Sequence, residues 1–94
     1  MSYTIMVIED EQMILDMLRD QFEMEQYQVI TAKSGEEALQ KLTQQPDIIL
    51  LDINMPGMDG LELCRAIRDH VTCPILFLTA RIEEADRVAG LRAG

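Results

Sequence analysis

Short runs of β-prone apolar residues alternate along this chain with segments in which apolar residues recur at helical spacing. The runs occupy residues 5–8, 28–32, 48–51 and 75–78, and the helical segments begin near residues 12, 35, 60 and 83. In the first of these segments, Leu15, Leu18 and Phe22 fall on one face of a helix that we predict over residues 12–26. Strands that alternate with helices through short connections indicate an α/β fold, with a parallel sheet covered on both faces.

The four runs differ in polarity, and the difference predicts where each strand lies in the sheet. Residues 5–8, 48–51 and 75–78 are continuously apolar, which is typical of interior parallel strands. Residues 28–32 include Gln28 and Thr31, so we predict a strand at the edge of the sheet.

The helix starts carry recognisable capping signals. Ser34 is followed three residues later by Glu37, which is the spacing of a capping box. Asp59 and Glu62 repeat this spacing before the third helix, and a last helix is predicted over residues 83–93, with Gly94 after it. There is no internal repeat or linker, so we expect residues 1–94 to form one domain.

Composition excludes several classes of protein. The chain has 94 residues, is 48% hydrophobic and carries a formal net charge of −9, which argues against direct nucleic-acid binding by this domain. No apolar run approaches the roughly 20 residues needed to span a membrane, and the N-terminus does not have the order of a signal peptide. Cys64 and Cys73 are too few for a disulfide scaffold, and we expect a reducing, cytoplasmic location.

Polar residues follow the apolar runs at the ends where parallel strands meet. Glu9 and Asp10 follow the first run, Asp52 the third and Thr79 the fourth. At about 5 Å and an effective dielectric near 20, each pair of neighbouring carboxylates repels by roughly 3 kcal/mol. Either one acid is protonated or a divalent cation lies among them, and Mg²⁺ suits such oxygen ligands. Thr79 adds a hydroxyl donor, and Ala80 is small enough to leave room for a ligand.

These residues together resemble a known family. The Glu9-Asp10 pair, the stretch over residues 52–60 and the Leu78-Thr79-Ala80-Arg81 sequence are similar to the receiver domain of bacterial two-component response regulators. The resemblance covers residues 5–94 and implies a flavodoxin-like doubly wound sheet with strand order 2-1-3-4. Within the family, residues 77–81 are most similar to regulators that carry a winged-helix DNA-binding domain.

The resemblance also implies a metal site and a phosphoacceptor. Asp52 would accept the phosphoryl group from a sensor histidine kinase or a small acyl phosphate. Asp10 and Asp52 would bind Mg²⁺ directly, together with the backbone carbonyl of Asn54, and Glu9 would act through a metal-bound water.

A second implication of the resemblance is a switch. Thr79 would hydrogen-bond the new phosphoryl group beside Ala80. The segment over residues 79–93 would then change conformation and report phosphorylation to an output.

The chain departs from the family pattern at its C-terminal side. A full receiver continues through a fifth strand, a lysine at the end of that strand and a fifth helix, none of which this sequence contains. Lys33 and Arg81 could be considered as replacements for the lysine, but both are expected to be solvated loop residues. Without these elements, the apolar fourth strand would become an exposed edge of the sheet. We therefore expect a homo-oligomer or a domain-swapped dimer.

Three classes of function fit the sequence. The first is a phosphorylatable signalling receiver that catalyses at most its own phosphoryl transfer and dephosphorylation. The second is a Mg²⁺-dependent phosphatase, although such enzymes generally carry a second carboxylate two residues after the nucleophile, where this chain has Asn54. The third is a truncated, phosphorylation-incompetent fragment that acts only by association.

Overall fold

The computed structural model describes residues 3–52 and 60–78 as alternating strands and helices. In chain order these are β1 (Thr4–Ile8), α1 (Gln12–Met24), β2 (Gln28–Ala32), α2 (Gly35–Lys41), a 3₁₀ turn (Leu42–Gln44), β3 (Ile48–Asp52), α3 (Gly60–Arg68) and β4 (Ile75–Leu78). All the predicted strands are confirmed, and their bounds differ from the prediction by at most one residue. The predicted N-cap at Asp59 and the predicted helix over residues 83–93 lie outside the described residues.

The four strands form one parallel sheet in the order β2-β1-β3-β4. This order confirms the expected doubly wound topology, and it places the more polar β2 at an edge. In the described sheet β4 pairs only with β3 and lies at the other edge, whereas its continuous apolar run had predicted an interior strand. Ile8 is paired with Leu51 in β3 and with Ala32 in β2. The carboxyl ends of the three strands therefore lie side by side.

The side chains of the strands alternate between two apolar layers, as the period of two in a β-strand requires. Helices α2 and α3 cover the larger layer, which contains Met6, Ile8, Ile49, Leu51, Leu63 and Ile67, all completely buried. Helix α1 covers the smaller layer through Leu15, which packs with Ile5 and Val7. Cys64 and Cys73 are free thiols and pack against the larger layer.

The α1 side of the sheet is only partly covered by the described residues. A groove of about 590 Å³ remains there, lined by Tyr3, Ile5, Phe22, Tyr27, Asp47, Ile48, Leu50 and Leu76. Leu76 and Phe77 of β4 are 49% and 47% exposed. This exposure agrees with the expectation that the fourth strand is poorly covered.

Helix α1 ends at Met24, two residues before the predicted end. The N–H of Gln26 donates to the carbonyl of Glu23 at 2.9 Å, and the N–H of Tyr27 donates to that of Phe22 at 3.1 Å. These two bonds form a Schellman motif, in which Gln26 adopts a left-handed φ of 72°. The rings of Phe22 and Tyr27 pack edge to face across the motif at 6.2 Å. Sequence periodicity missed this end because Gln26 takes a position that glycine usually fills.

Helix α2 begins as the capping signal predicted, with one difference. Ser34 Oγ accepts a hydrogen bond from the N–H of Glu37 at 3.1 Å, but the Glu37 carboxylate accepts from the N–H of Lys33 and not from Ser34.

Within the described ranges, no helix has the length and apolar character needed to cross a membrane.

Candidate functional site

Three carboxylates from two neighbouring strands converge at the carboxyl edge of the sheet. Asp52 is the last residue of β3, and Glu9 and Asp10 follow β1 directly. One oxygen of each carboxylate lies within 4.8 Å of an oxygen of the other two. The predicted convergence is confirmed, and the register between Ile8 and Leu51 explains it, since the next residues along both strands reach the same point.

Two of the three acids are buried, which is unusual for carboxylates. Glu9 is 1% exposed and Asp52 is 4% exposed, whereas Asp10 is half-buried. Of the three acids, Asp10 is therefore the most accessible to solvent.

Backbone groups from two other elements hold Glu9 in place. Its N–H donates to the carbonyl of Ala32, the last residue of β2, at 3.0 Å. Its Oε2 accepts a hydrogen bond from the N–H of Glu11 at 3.0 Å, where helix α1 begins. Its Oε1 is buried and has no hydrogen-bond partner among the described residues.

The environment of Glu9 favours its protonated form. Burial raises the pKa of the Glu9 carboxyl to about 8, and the nearby Asp52 carboxylate acts in the same direction. The hydrogen bond from the Glu11 N–H opposes this rise in pKa, but it is the weaker influence. In the absence of a cation, Glu9 is therefore mostly neutral at pH 7.

The donor set fits a hard divalent cation such as Mg²⁺. The three acids offer only carboxylate oxygens, one of them the buried Glu9 Oε1 that has no hydrogen-bond partner among the described residues. A divalent cation would also remove the repulsion among the three carboxylates. The sequence left two alternatives open, protonation of one acid or a divalent cation among them. The raised pKa of Glu9 favours protonation when no cation is bound.

Several predicted site residues lie outside the described residues. These are Asn54, Thr79, Ala80 and Arg81, together with the proposed switch segment over residues 79–93. Lys33 is described and is exposed in the β2–α2 loop, as expected. The capping signal at Ser34 predicted that the Glu37 carboxylate would accept a backbone N–H here, but it did not predict that the donor would be Lys33.

A larger cavity lies at the opposite edge of the sheet, away from the acids. It has a volume of about 910 Å³ and is bordered by the residues that precede β3 and β4. Arg68 borders this cavity, and its guanidinium donates to the Cys73 carbonyl at 2.9 Å and to that of Val71 at 3.5 Å. Arg68 therefore holds the turn between α3 and β4. Among the described residues, the group of three acids that could bind a metal lies at the other edge of the sheet and not at this cavity.

Known proteins are similar to this chain in both sequence and fold. Residues 5–94 match the sequence model of the response regulator receiver domain family. The alkaline phosphatase synthesis transcriptional regulatory protein PhoP of Bacillus subtilis (strain 168) is 46% identical over 96 residues, covering 100% of this chain and 40% of that protein.

Two solved structures illustrate the structural likeness. The chemotaxis response regulator CheY4 of Vibrio cholerae superposes with a TM-score of 0.79 at 31% identity, covering 100% of this chain and 82% of that one. The response regulator protein TrrA of Thermotoga maritima, crystallised in complex with Mg(2+)-BeF, superposes with a TM-score of 0.75 at 35% identity. The match covers 95% of this chain and 79% of that one.

The fold and the site thus define a class, the flavodoxin-like α/β domains with a polar site at the carboxyl edge of a parallel sheet. Within this class, the chain belongs to the response regulator receiver domain family, which gives it a role in two-component signalling. The chain spans about two fifths of the length of the transcriptional regulatory relatives that it matches, at 41%, 40% and 38%.

Proposed function

We propose that this chain is the phosphoacceptor domain of a two-component response regulator and is phosphorylated on Asp52 in a Mg²⁺-dependent reaction. The observation that supports this function is the cluster of Glu9, Asp10 and Asp52, whose oxygens lie within 4.8 Å of one another at the carboxyl edge of the sheet. A likeness to a receiver crystallised with Mg(2+)-BeF supports the choice of metal.

In this proposal, Asp52 is the nucleophile. One of its carboxylate oxygens forms a bond to phosphorus while the bond from phosphorus to the donor nitrogen of a phosphohistidine breaks, and the imidazole leaves. Asp10 and Asp52 hold the Mg²⁺, with the Asn54 carbonyl as a third protein ligand and Glu9 acting through water. When bound, the metal supplies charge neutralisation for the transferred phosphoryl group.

The remaining parts of the proposal concern partners. The phosphoryl donor is a sensor histidine kinase. Thr79, beside Ala80, hydrogen-bonds the phosphoryl group on Asp52, so that residues 79–93 switch an output. Because the relatives include transcriptional regulatory proteins, we propose a winged-helix DNA-binding output and a cytoplasmic location. The acidic receiver itself makes no contact with nucleic acid.

Incubation with acetyl phosphate and Mg²⁺, followed by intact-mass measurement, tests the proposal. We expect one added phosphoryl group in the natural sequence and in the control Asp69→Asn, which alters an exposed acid. The adduct should be absent in Asp52→Asn and after chelation of the metal. Rapid turnover of a phosphate ester would support the phosphatase alternative, and the absence of any adduct would refute phosphoacceptor function in this chain.

A second candidate function, association between copies, is favoured by the exposure of β4. We propose that copies of the chain form a homo-oligomer or a domain-swapped dimer through this strand, because Leu76 and Phe77 are half-exposed at its edge. Sedimentation equilibrium should show association that is weakened by Phe77→Lys but not by Leu61→Lys, a control at a residue that is 56% exposed on α3. A monodisperse monomer at high concentration would contradict association.

A further inference from the structure

The outer side of β2 is the starting point, because β2 lies at the edge of the sheet. In a parallel strand, the backbone groups of successive residues point alternately toward one neighbour and the other. The Ala32 carbonyl accepts from the Glu9 N–H and therefore faces β1. The backbone groups of Thr31 and Lys33 consequently face outward, where no strand of the described part of the chain pairs with them.

Two side chains of α2 bind these outward groups. Lys41 Nζ donates to the Thr31 carbonyl at 2.6 Å, and Glu37 Oε1 accepts from the Lys33 N–H at 2.8 Å. The Glu37 and Lys41 side chains also bond to each other, with Nζ at 2.8 Å from Oε2. The hydrogen bond from Lys41 is the main reason that the pKa of the Glu37 carboxyl is lowered.

The pair thus provides one donor and one acceptor where an additional strand would provide them. Both residues lie on consecutive turns of α2, and their side chains are 37% and 32% exposed. The last residues of β2 are therefore held from both sides, by β1 on the inner side and by α2 on the outer side.

We propose that the Glu37–Lys41 pair is a positioning device for the acidic site. By fixing the backbone on either side of Ala32, it fixes the carbonyl that accepts from the Glu9 N–H, and so it places the Glu9 carboxylate beside Asp10 and Asp52. The consequence for Mg²⁺ rests on the proposed function, whereas the consequence for the Glu9 backbone does not.

The alternative is that the pair only stabilises α2. Partly exposed ion pairs with a spacing of four residues contribute little to the stability of a folded domain. Loss of the pair should therefore change global unfolding little, and a specific effect must appear locally at Glu9. This difference separates a positioning role from a structural one.

The test compares Lys41→Met and Glu37→Gln with Arg19→Met, which removes the cation of a comparable exposed pair, Arg19 with Asp16, on α1. The first readout is the hydrogen-exchange rate of the Glu9 amide in the metal-free full chain, measured by NMR. We expect this rate to rise about 3–10-fold in the two α2 variants and less than about 2-fold in Arg19→Met. Lys41→Arg, which keeps the positive charge, should have the exchange rate of the natural sequence.

The second readout is the Kd for Mg²⁺ alone, which should rise about 3–10-fold in the same two α2 variants. An unchanged hydrogen-exchange rate of the Glu9 amide in both α2 variants would overturn the positioning role, whatever their affinity for Mg²⁺. Faster exchange in a chain whose natural sequence does not bind Mg²⁺ would support the positioning role and refute the proposed function. Faster exchange with an unchanged Kd would overturn the link to the metal site.

Discussion

Replacing Glu9 by glutamine should remove a pH dependence of stability that the buried carboxyl imposes on the metal-free protein. Glutamine has nearly the size and shape of the protonated glutamic acid but cannot ionise. The pKa of Glu9 is raised from 4.5 to about 8, mainly by burial. The folded state therefore binds this proton more tightly than the unfolded state does.

The sign of the effect follows from linkage. Since the folded pKa lies above the unfolded one, the contribution of Glu9 to the free energy of unfolding is greatest below about pH 4.5 and is lost as the pH rises toward about 8. The full difference in pKa corresponds to roughly 4–5 kcal/mol. Solvent reaches the cluster beside Asp10 and screens part of this energy, so we expect a loss of about 2–3 kcal/mol. That loss is a large fraction of the roughly 5–15 kcal/mol that stabilises a small domain.

Urea unfolding in a chelating buffer, followed by circular dichroism from about pH 5 to about pH 8.5, measures this loss. The natural sequence should lose about 2–3 kcal/mol more than Glu9→Gln over this interval. The control Glu23→Gln changes an exposed acid on α1 and should follow the natural sequence. Equal slopes for Glu9→Gln and the natural sequence would refute the argument that burial of Glu9 raises its pKa. Saturating Mg²⁺ should stabilise the natural sequence more at the alkaline end, because the metal needs the ionised carboxylate.

Three further outcomes are expected. Asp10→Asn should stabilise the metal-free domain by about 1 kcal/mol through loss of like-charge repulsion, yet weaken Mg²⁺ binding at least about 10-fold, as calorimetry and urea unfolding can show. Leu63→Ala, at a completely buried position of α3, should cost about 2–4 kcal/mol in urea unfolding, whereas Leu61→Ala, at an exposed position of the same helix, should cost less than about 0.5 kcal/mol. Gln26→Gly should raise the free energy of unfolding by about 0.5–1 kcal/mol, because glycine adopts the left-handed φ of 72° without strain, and Gln21→Gly within α1 should lower it by a similar amount.

The local pattern of the sequence was enough to predict the elements. The apolar runs at residues 5–8 and 48–51 and the capping signal at Ser34 depend on neighbours within a few positions, and the structure confirms all three. Parallel strands must also present their carboxyl ends at one edge of the sheet, so Glu9 and Asp52 were expected at the same edge. Their close approach depended in addition on β1 and β3 being neighbours, which the structure shows.

Contacts between distant parts of the chain could not be predicted in this way. The register of Ile8 with Leu51, the burial of Glu9 and the resulting rise in its pKa depend on how strands that are far apart in sequence pack together. The hydrogen bond from Lys41 to the Thr31 carbonyl likewise exists only because α2 packs beside the edge strand.

The sequence by itself therefore determined which elements form and which acids gather at the edge of the sheet, because periodicity and chain order are local properties. Only the tertiary structure decided that Glu9 and Asp52 are buried, that the pKa of Glu9 is raised, and that side chains of α2 bind the backbone at the end of β2. These features depend on distances of a few ångströms between elements, and the periodicity of a single strand or helix does not specify such distances.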